Sequence, residues 1–418
     1  MDIVVVGAGI VGLSTAYQLR ARGHRVCVLE RAAQCAAGAS QANAGQLSYA
    51  YVAPLAGPGV LGKLPGWLLD PDGPVRLSVL PRHGLTIWLG AFLAACNGRA
   101  SDATTRGLLR LSMLSRAAWH DFLSQHPGAF PHRRNGKLIV HRHAAGLDAA
   151  LRLRDALAPY GYPLERLDAE ACVALEPALR GIAHELAGGV FTRAEESGDC
   201  RAACEALAQE LARDGAGGEV RYGVEVRDLV LQNSWVRGVR VADGTIAADA
   251  VVLANGLDAG VLARHGGVAL RLAPLKGYSL SYGGAAPPED FPSVSVTDYD
   301  RKIAYARIGA TLRAAGLADL AGANHAIDAR RAGLLRRQVE ESFPALKRHA
   351  APHVWAGLRP ATPSGRPYIG ATRIGNLFLN AGHGALGFTL SMGSAVLLAD
   401  LIDARRPAIG AAAFAPLS

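Results

Sequence analysis

The chain has 418 residues, a hydrophobic fraction of 50% and a charged fraction of 19%. This length allows two or three domains, and the composition excludes a largely disordered chain. The formal net charge is +9 and comes almost entirely from scattered arginines. Because the basic residues form no run of about five like charges, we expect no nucleic-acid partner.

The cysteines and the apolar stretches set further limits. The six cysteines form no C-x-x-C pair, so we expect reduced thiols, no metal site and a cytoplasmic protein. We expect the chain to open on an apolar strand and not on a signal peptide. Its most apolar stretch, residues 84–96, is about 13 residues long and therefore too short to cross a membrane, which takes roughly 20.

The N-terminal residues predict a complete βαβ unit, with strands at 2–6 and 25–29 around a helix at 13–22. The turn between them reads G-A-G-I-V-G and carries Gly7, Gly9 and Gly12. These glycines allow a tight turn, a close approach of the backbone to a pyrophosphate and close packing of helix on strand. Glu30 follows the second strand, where a carboxylate accepts hydrogen bonds from ribose hydroxyls. The unit predicts a dinucleotide cofactor without choosing between NAD and FAD.

Further glycine-rich segments favour FAD. Residues 38–48 are small and polar, which suits a loop that lies against a flat ring system. Residues 250–253 form a buried-type strand that runs into a tight turn at 254–256. Residues 380–389 are glycine-rich and open a long apolar helix. The N-terminus of that helix would stabilise negative charge on a reduced flavin.

Five segments identify the chain as similar to a known family. They read S-Q-A-N-A-G-Q-L-S (40–48), E-S-G-D-C (196–200), P-L-K-G-Y-S-L (274–280), G-L-R-P-A-T-P-S-G-R-P (357–367) and L-N-A-G-H-G-A-L-G-F-T (379–389). In this order the chain resembles D-amino-acid dehydrogenase small subunits, within the glycine oxidase/D-amino-acid oxidase group of FAD enzymes. One departure is R-A-A-G at 313–316, where the family tends to show R-V-G-G. Because Ala315 disfavours a positive φ that glycine permits, we expect a different turn there.

The resemblance implies an α/β fold. An FAD-binding Rossmann-like domain, residues 1–85, 187–265 and 350–418, would be interleaved with an antiparallel-sheet α+β substrate domain, residues 86–186 and 266–349. The residues expected to bind FAD are Gly7, Ala8, Gly9, Ile10, Val11, Gly12, Glu30, Arg31, Ala39, Ser40, Asn43, Ala44, Gly45, Gln46, Leu47, Val226, Ala254, Gly256, Gly382, His383, Gly384, Leu386, Gly387, Phe388 and Thr389.

The expected catalytic residues bind an amino-acid carboxylate. The resemblance points to Arg359 and Arg307, because the planar fork of arginine binds a carboxylate bidentately. Tyr278 is expected to donate its hydroxyl to the same carboxylate, and Tyr51 to cap the pocket. We interpret His383 as a hydrogen-bonding residue of the cofactor loop, since hydride transfer from a neutral amine needs no side-chain base. The sequence leaves open whether the flavin is attached covalently.

The resemblance implies FAD-dependent oxidative deamination of a D-amino acid. A hydride passes from Cα to flavin N5, the resulting imine hydrolyses to a 2-oxo acid and ammonia, and the electrons pass to a quinone or another carrier. Two alternatives stay open. One is an oxygen-using oxidase of glycine, sarcosine or a D-imino acid such as hydroxyproline, and the other is a non-catalytic flavin-binding subunit.

Two apolar stretches predict a peripheral contact with the inner face of the membrane, where quinone is available. They contain Trp67, Leu68, Leu69, Trp88, Leu89, Phe92 and Leu93. A helix buried in the substrate domain explains the same pattern equally well.

Overall fold

Strands and helices alternate along the chain, and the computed structural model describes residues 1–77, 83–157, 163–213, 217–283 and 290–416. The strands are β1 (Asp2–Val6), β2 (Arg25–Glu30), β3 (Gln46–Leu47), β4 (Val75–Leu77), β5 (His132–Arg133), β6 (Lys137–His141), β7 (Glu165–Leu167), β8 (Gly188–Thr192), β9 (Glu196–Gly198), β10 (Gly218–Tyr222), β11 (Asp228–Gln232), β12 (Trp235–Val241), β13 (Gly244–Ala247), β14 (Ala250–Leu253), β15 (Ala273–Tyr282), β16 (Ser295–Asp298), β17 (Ile303–Ile308), β18 (Thr311–Leu320), β19 (His353–Ala361), β20 (Tyr368–Ala371) and β21 (Leu377–Ala381). The α-helices are α1 (Ile10–Ala21), α2 (Val60–Leu69), α3 (His83–Ala95), α4 (Gly98–Gln125), α5 (Ala144–Leu157), α6 (Ala169–Leu175), α7 (Cys200–Ala212), α8 (Ala259–His265), α9 (Ala329–Ser342) and α10 (Gly387–Ile402).

Six strands form a mostly parallel sheet in the order β10-β2-β1-β14-β21-β20. Strand β1 runs parallel to β2 and β14, and β20 runs antiparallel to β21. The apolar run of β1 has one face against α1, α7 and α10, and its other face against α8 and the small sheet β11-β12-β13. Burial on both faces explains why this strand reads as a continuous apolar run and not as an alternation. The predicted Rossmann-like arrangement is present.

A second, larger sheet has the order β19-β15-β18-β17-β16-β6-β8-β7, with β4 paired to β18. Most of its pairs are antiparallel, and side chains alternate between its two faces. On β15, for example, Tyr278, Leu280 and Tyr282 pack in a core beneath α9. Gly277, directly before Tyr278 in sequence, belongs to the opposite face, which lines a cavity. The alternation therefore decides which residues of each strand can meet a ligand.

Strand pairing departs from the predicted domain boundaries. Strands β4, β8 and β19 were expected in the cofactor-binding segments, but they pair within the larger sheet. Helix α4 was expected in the substrate domain, but it packs with α10 in the core against the six-stranded sheet. The reason is that hydrogen bonding between distant segments decides sheet membership, and apolar patterning does not encode the partner. The two-domain division itself stays a proposal.

Within the residues that the structure describes, one helical stretch, Gly384–Ile402, is long and apolar enough to cross a membrane by length and composition. The structure buries 61% of it inside the protein, where α10 packs against α1 and α4. Core helices of globular proteins have the same composition, so this stretch is weak support for a membrane span. It was predicted as a long apolar helix after the glycine-rich loop, and that prediction is confirmed.

Candidate active site

One cavity of about 2120 Å³ lies between the two large sheets. Its lining on one side comes from the carboxyl ends of β1, β2, β14 and β21 and from the segments that follow them. Its other side is formed by the larger sheet, including small residues at Gly277, Ala304 and Ala315. In parallel α/β sheets the crevice outside the carboxyl ends of the strands is the usual place for a nucleotide cofactor.

The turn between β1 and α1 has the geometry that the glycine pattern predicts. Gly7 has a φ of 103°, and a Cβ atom there would lie 2.7 Å from the Cα of Asn255. At Gly12 a Cβ atom would collide with the carbonyl oxygen of Gly7. The backbone N–H of Ile10 donates to Ser40 Oγ at 3.1 Å, which ties the start of α1 to the predicted ring-binding loop. Only glycine fits at these two positions, and the turn leaves a cradle for a pyrophosphate at the helix N-terminus.

Glu30 lies at the carboxyl end of β2 and lines the cavity. Its Oε2 accepts a hydrogen bond from the N–H of Ala8 at 2.8 Å, and its Oε1 accepts one from the N–H of Ala32 at 2.9 Å. A carboxylate has about four acceptor positions, so both oxygens can still accept hydrogen bonds from ribose hydroxyls. The two backbone contacts fix the carboxylate in place for this role.

The loop at 38–48 is held between α10 and the larger sheet. Thr389 Oγ1 accepts from the N–H of Ser48 at 3.1 Å and donates to the carbonyl of Gln46 at 3.4 Å. Gln46 Nε2 donates to the carbonyl of Val296 at 3.1 Å. These contacts bring two glycine-rich segments that are distant in sequence to one wall of the cavity. Both segments would face an isoalloxazine ring bound in the cavity.

The predicted cofactor residues come together in the structure. All of them line the cavity except Ala8, Gly12, Gly45 and Leu47, which lie behind the lining. Val226, Ala254 and Gly256 line the end near Glu30, as expected for an adenosine site. The glycine cradle, the anchored carboxylate and the flat loop therefore fit FAD.

His383 is buried and lines the cavity. Its Nε2 lies 3.1 Å from Ser394 Oγ, so the ring ties the loop to α10. Burial lowers the pKa of His383 to about 3, and the imidazole is therefore neutral near pH 7. This geometry agrees with a hydrogen-bonding residue and not with a cation or a proton donor.

Arg359 lies on β19 and lines the cavity next to Gly277 of the adjacent strand β15. Its Nη1 donates to the carbonyl of Leu317 at 3.0 Å. Burial lowers the pKa of Arg359, and the charge of Asp319 opposes that change. Because arginine stays protonated in proteins, the cavity has a fixed cation at this end.

The expected turn at Ala315 is wrong. Ala315 belongs to β18, where it pairs with Ser279 and Ala304. The residue with a positive φ is Leu317, at 60°, where the pairing of β15 with β18 shifts register. A β-bulge locally bends its strand and redirects backbone groups. Here it supplies the carbonyl that accepts from Arg359.

Arg307 does not reach the cavity. Residues alternate on β17, so Arg307 lies on the same face as Ile303 and Tyr305, which pack in the core beneath α9. Its guanidinium carbon is 5.9 Å from the ring centroid of Phe291, and it is absent from the cavity lining. The prediction that Arg307 binds the substrate carboxylate is therefore corrected. Side chains alternate between the two faces of β17, and that of Arg307 lies on the face away from the cavity.

The two predicted tyrosines differ in position. Tyr278 borders the cavity, but its ring packs in the core on the other face of the sheet and its hydroxyl donates to Asp319 Oδ2 at 3.4 Å. Burial and the charge of Asp319 raise the pKa of Tyr278 to about 12. Its predicted donation to a substrate carboxylate does not agree with this orientation. Tyr51 lines the cavity as expected, with Lys137 Nζ 4.5 Å from its ring centroid.

Sequence reasoning missed two cations of the cavity lining, Lys137, which is buried, and Lys302, which is exposed. Neither lies in a motif that points to a ligand, and their strands carry no other unusual pattern. The one available signal is compositional. The chain has five lysines beside a large excess of arginine, so each lysine is a rare choice.

Comparisons with known proteins agree with this geometry. The family model described as FAD dependent oxidoreductase (DAO) matches residues 2–401. The chain is 46% identical, over 99% of both chains, to D-amino acid dehydrogenase 2 of Ralstonia nicotianae. It is 43% identical to D-amino acid dehydrogenase 2 of Pseudomonas aeruginosa, over 99% of this chain and 98% of that one.

Solved structures show the same fold. Glycine oxidase from Geobacillus kaustophilus superposes with a TM-score of 0.79 at 22% identity, covering 100% of this chain and 98% of that one. L-proline dehydrogenase from P. horikoshii gives a TM-score of 0.76 at 17% identity, covering 99% and 96%. Fold and site thus define a flavoprotein oxidoreductase. More particularly, the chain belongs to the DAO family of FAD dependent oxidoreductases, and the predicted family, fold class and FAD cofactor are confirmed.

Proposed function

We propose that the chain is an FAD-dependent D-amino-acid dehydrogenase, which converts D-amino acids to 2-oxo acids and ammonia. The observation that carries the proposal is the half-buried guanidinium of Arg359 in the same cavity as the glycine-rich cofactor cradle. A bidentate arginine fixes the plane of the substrate carboxylate and therefore the face of Cα that meets the cofactor. The names of the curated relatives support the same substrate class.

The chain's own residues bind and orient the substrate. Leu317 holds Nη1 of Arg359 and leaves the rest of the guanidinium for the carboxylate. Gly277, Ala304 and Ala315 present little side chain, so the floor of the cavity leaves room for the substrate beneath the cofactor. Tyr51 borders the same space. When bound, FAD supplies the acceptor for the hydride that leaves Cα, and the imine then hydrolyses in water.

The assignment of Arg359 is tested against Arg307, a matched arginine on the opposite face of the same sheet. We expect Arg359→Ala to lower kcat/KM for the best D-amino acid. The corresponding loss of transition-state binding free energy is about 2–5 kcal/mol, the usual cost of removing one partner of a buried charge pair. Arg359→Lys keeps the charge but removes the fork, so KM rises. Arg307→Ala changes kcat/KM less than about threefold, since the side chain does not line the cavity. Equal losses in both variants would remove Arg359 from the substrate site.

For the electron acceptor we propose a quinone or a similar carrier. An anaerobic screen of D- and L-amino acids, read by bleaching of the flavin absorbance, identifies the substrate. The bleached protein is then mixed with oxygen or with a soluble quinone. Rapid reoxidation by quinone with little peroxide supports a dehydrogenase. Stoichiometric peroxide supports the oxidase alternative, and a flavin that no amino acid bleaches supports a non-catalytic subunit.

We further propose a peripheral membrane contact around α2 and α3. Leu55, Leu61, Ile87 and Leu93 are exposed there, by 40% to 52% of their surface. Trp88 and Phe92, which were predicted to touch the membrane, are instead buried against Ala273 and Ala361, and Trp88 Nε1 donates to the carbonyl of Ala361. Leu89 is half-buried, and the side chains of Trp67, Leu68 and Leu69 lie outside the described residues. The proposed membrane contact is therefore made by the exposed side of α3 and the neighbouring loop.

Sedimentation with anionic liposomes tests this contact. We expect the parent protein to sediment at low salt, and the triple variant Leu61→Ser, Ile87→Ser, Leu93→Ser to stay in the supernatant. Val261→Ser is the control, because Val261 is equally exposed at 52% but lies on α8. If the parent protein never sediments with the liposomes, the proposed membrane contact is contradicted. Helix α3 is then simply a partly exposed helix of the fold.

A further inference from the structure

Lysine is concentrated at the cavity. Of the five lysines in the chain, Lys63, Lys137 and Lys302 line it. Among the described residues, arginine appears in most of the ion pairs with Asp and Glu. Lysine differs from arginine in presenting a compact point charge on a flexible stem. The cavity lining therefore combines these compact cations with four arginines, Arg31, Arg106, Arg227 and Arg359.

Among the cavity-lining cations that border the larger sheet, Lys302 is the one nearest to Arg359 in the strand order. It lies directly before β17, and its Nζ is 3.4 Å from the ring centroid of Tyr299. Partial desolvation and the charge of Lys63 lower the pKa of Lys302 to about 8, with Asp300 and Asp298 opposing. Within the described part of the chain no ion pair holds Lys302. Asp298 pairs with Arg142, and Asp300 Oδ2 accepts from the backbone N–H of Arg142.

Lys137 is similarly placed, with its Nζ over the ring of Tyr51. Its Nζ donates to Ser48 Oγ at 2.8 Å, and burial lowers its pKa, with Glu195 opposing. The two oxygens of Glu195 accept from the backbone N–H groups of Tyr49 and Ala50, at 2.6 and 2.7 Å. In the chain as described, no ion pair joins Lys137 to this or any other carboxylate. A buried ammonium without a close counter-ion is costly unless a ligand supplies the charge.

The two ends of the cavity floor are therefore cationic. Arg359 lies over β15 at Gly277, Lys302 opens β17, and β18 runs between them. Neighbouring strands are about 4.8 Å apart, so roughly 10 Å separates β15 from β17. The floor between them is lined by the small residues Ala315 and Ala304. This spacing suits a short molecule with an anionic group at each end.

We infer that the substrate is a D-amino acid with an anionic side chain, a dicarboxylic amino acid such as D-glutamate. Its α-carboxylate binds Arg359, and its second carboxylate binds Lys302 over Tyr299, with Lys137 adding positive charge beyond Tyr51. The inference rests on the proposed function and specifies its substrate class. Lys302 is a specificity-determining residue in this scheme and takes no part in the chemical step.

The test compares D-glutamate with D-glutamine, which has nearly the same shape but no side-chain charge. We expect the holoenzyme to prefer D-glutamate in kcat/KM. Lys302→Met lowers kcat/KM for D-glutamate by at least about 30-fold, as expected for one lost charge pair, and leaves D-glutamine within about threefold. Lys302→Arg keeps most of the preference. Lys347→Met is the control, because Lys347 is exposed and outside the cavity.

A binding experiment separates this inference from the proposed function. Glutarate has two carboxylates but no amine, so it cannot be oxidised. We expect glutarate to raise the Tm of the holoenzyme more than butyrate does, and this difference to disappear in Lys302→Met, with flavin content checked in each variant. If no D-amino acid bleaches the flavin but glutarate binds in this way, the proposed function fails and the dicarboxylate site stands.

Two results would overturn the inference. One is a parent protein that oxidises D-glutamine at least as efficiently as D-glutamate and binds glutarate no better than butyrate. The other is a preference for D-glutamate that survives in Lys302→Met and in Lys137→Met. Either result would leave D-amino-acid oxidation itself intact.

Discussion

The guanidinium of Arg359 lies against Gly277 of the neighbouring strand, in space that any Cβ atom at position 277 would fill. The carbonyl of Leu317 then fixes the guanidinium from the next strand along. Three adjacent strands, β19, β15 and β18, thus determine where this cation points. Such preorganisation is what a carboxylate site requires, because a shift of about 1 Å is enough to impair a reaction.

Gly277→Ala should displace Arg359 without removing it. We expect KM for the best D-amino acid to rise, and kcat/KM to fall at least about tenfold, because the guanidinium loses its position. The flavin should remain bound, since Gly277 is remote from the glycine cradle at Gly7. Gly283→Ala is the control, because an added Cβ there meets no atom within 4 Å. Unchanged kinetics in Gly277→Ala would show that the arginine position is not critical.

The sequence was sufficient to predict those parts of the site that depend on local spacing. Gly7, Gly12 and Glu30 lie within one βαβ unit, so their spacing alone determines how they meet. The position of Arg359 in the cavity lining could also be predicted, because its segment is a long and specific motif of the resembled family.

The sequence was insufficient to predict those parts of the site that depend on strand register. Arg307 and Tyr278 lie in strands that do border the cavity, yet each points to the opposite face. A shift of one residue reverses which face a side chain occupies, and that parity is decided by pairing with β18. Lys302 and Lys137 are far apart in sequence and come to the same cavity through the pairing of β16 with β6 and β17. No local pattern contains that information.

Glu30 is expected to be needed for retention of FAD. Replacing it with alanine removes an acceptor for ribose hydroxyls, and hydrogen bonds to a charged group contribute about 1.5–3 kcal/mol. We therefore expect the dissociation constant of FAD to rise at least about tenfold, measured by equilibrium dialysis. Glu219→Ala on the neighbouring strand β10 is the control, because Glu219 is exposed and pairs with Arg221. A Glu30→Ala protein that retains FAD like the parent would refute the assignment.

The buried pair of Arg331 and Asp319 is expected to stabilise the larger sheet. Both side chains are fully buried, and Arg331 Nη1 also donates to the carbonyl of Gly73 at 2.8 Å. Arg331→Ala leaves Asp319 with one partner fewer, and breaking a buried pair costs about 3–5 kcal/mol. Urea unfolding measures the loss. Arg330→Ala is the matched control, because its pair with Asp72 is exposed and contributes at most about 1 kcal/mol. Similar losses for both residues would contradict the role of burial.

Glu196 should make stability depend on pH. Its Oε1 lies 2.5 Å from His120 Nε2 and its Oε2 2.8 Å from His132 Nε2. Burial alone would raise the pKa of Glu196, but the hydrogen bonds from His132 and His120 outweigh it and hold this pKa below its ordinary value of 4.5. A carboxyl group with a lowered pKa in the folded state contributes stability that is present above the unfolded-state pKa. That contribution is lost as the pH falls through the folded-state pKa.

Glu196→Gln removes this contribution. Near pH 7 we expect the free energy of unfolding to fall by about 1–3 kcal/mol, since a buried charged acceptor loses its partners. Below about pH 4.5 the parent protein protonates the same group, so the difference between the two proteins should shrink. Glu205→Gln is the control, because Glu205 is exposed and forms a helical i,i+4 pair with Arg201, which contributes only about 0.3–0.5 kcal/mol. A difference between the parent protein and Glu196→Gln that stays constant from pH 7 to pH 4 would show that the pKa of Glu196 is not lowered by folding.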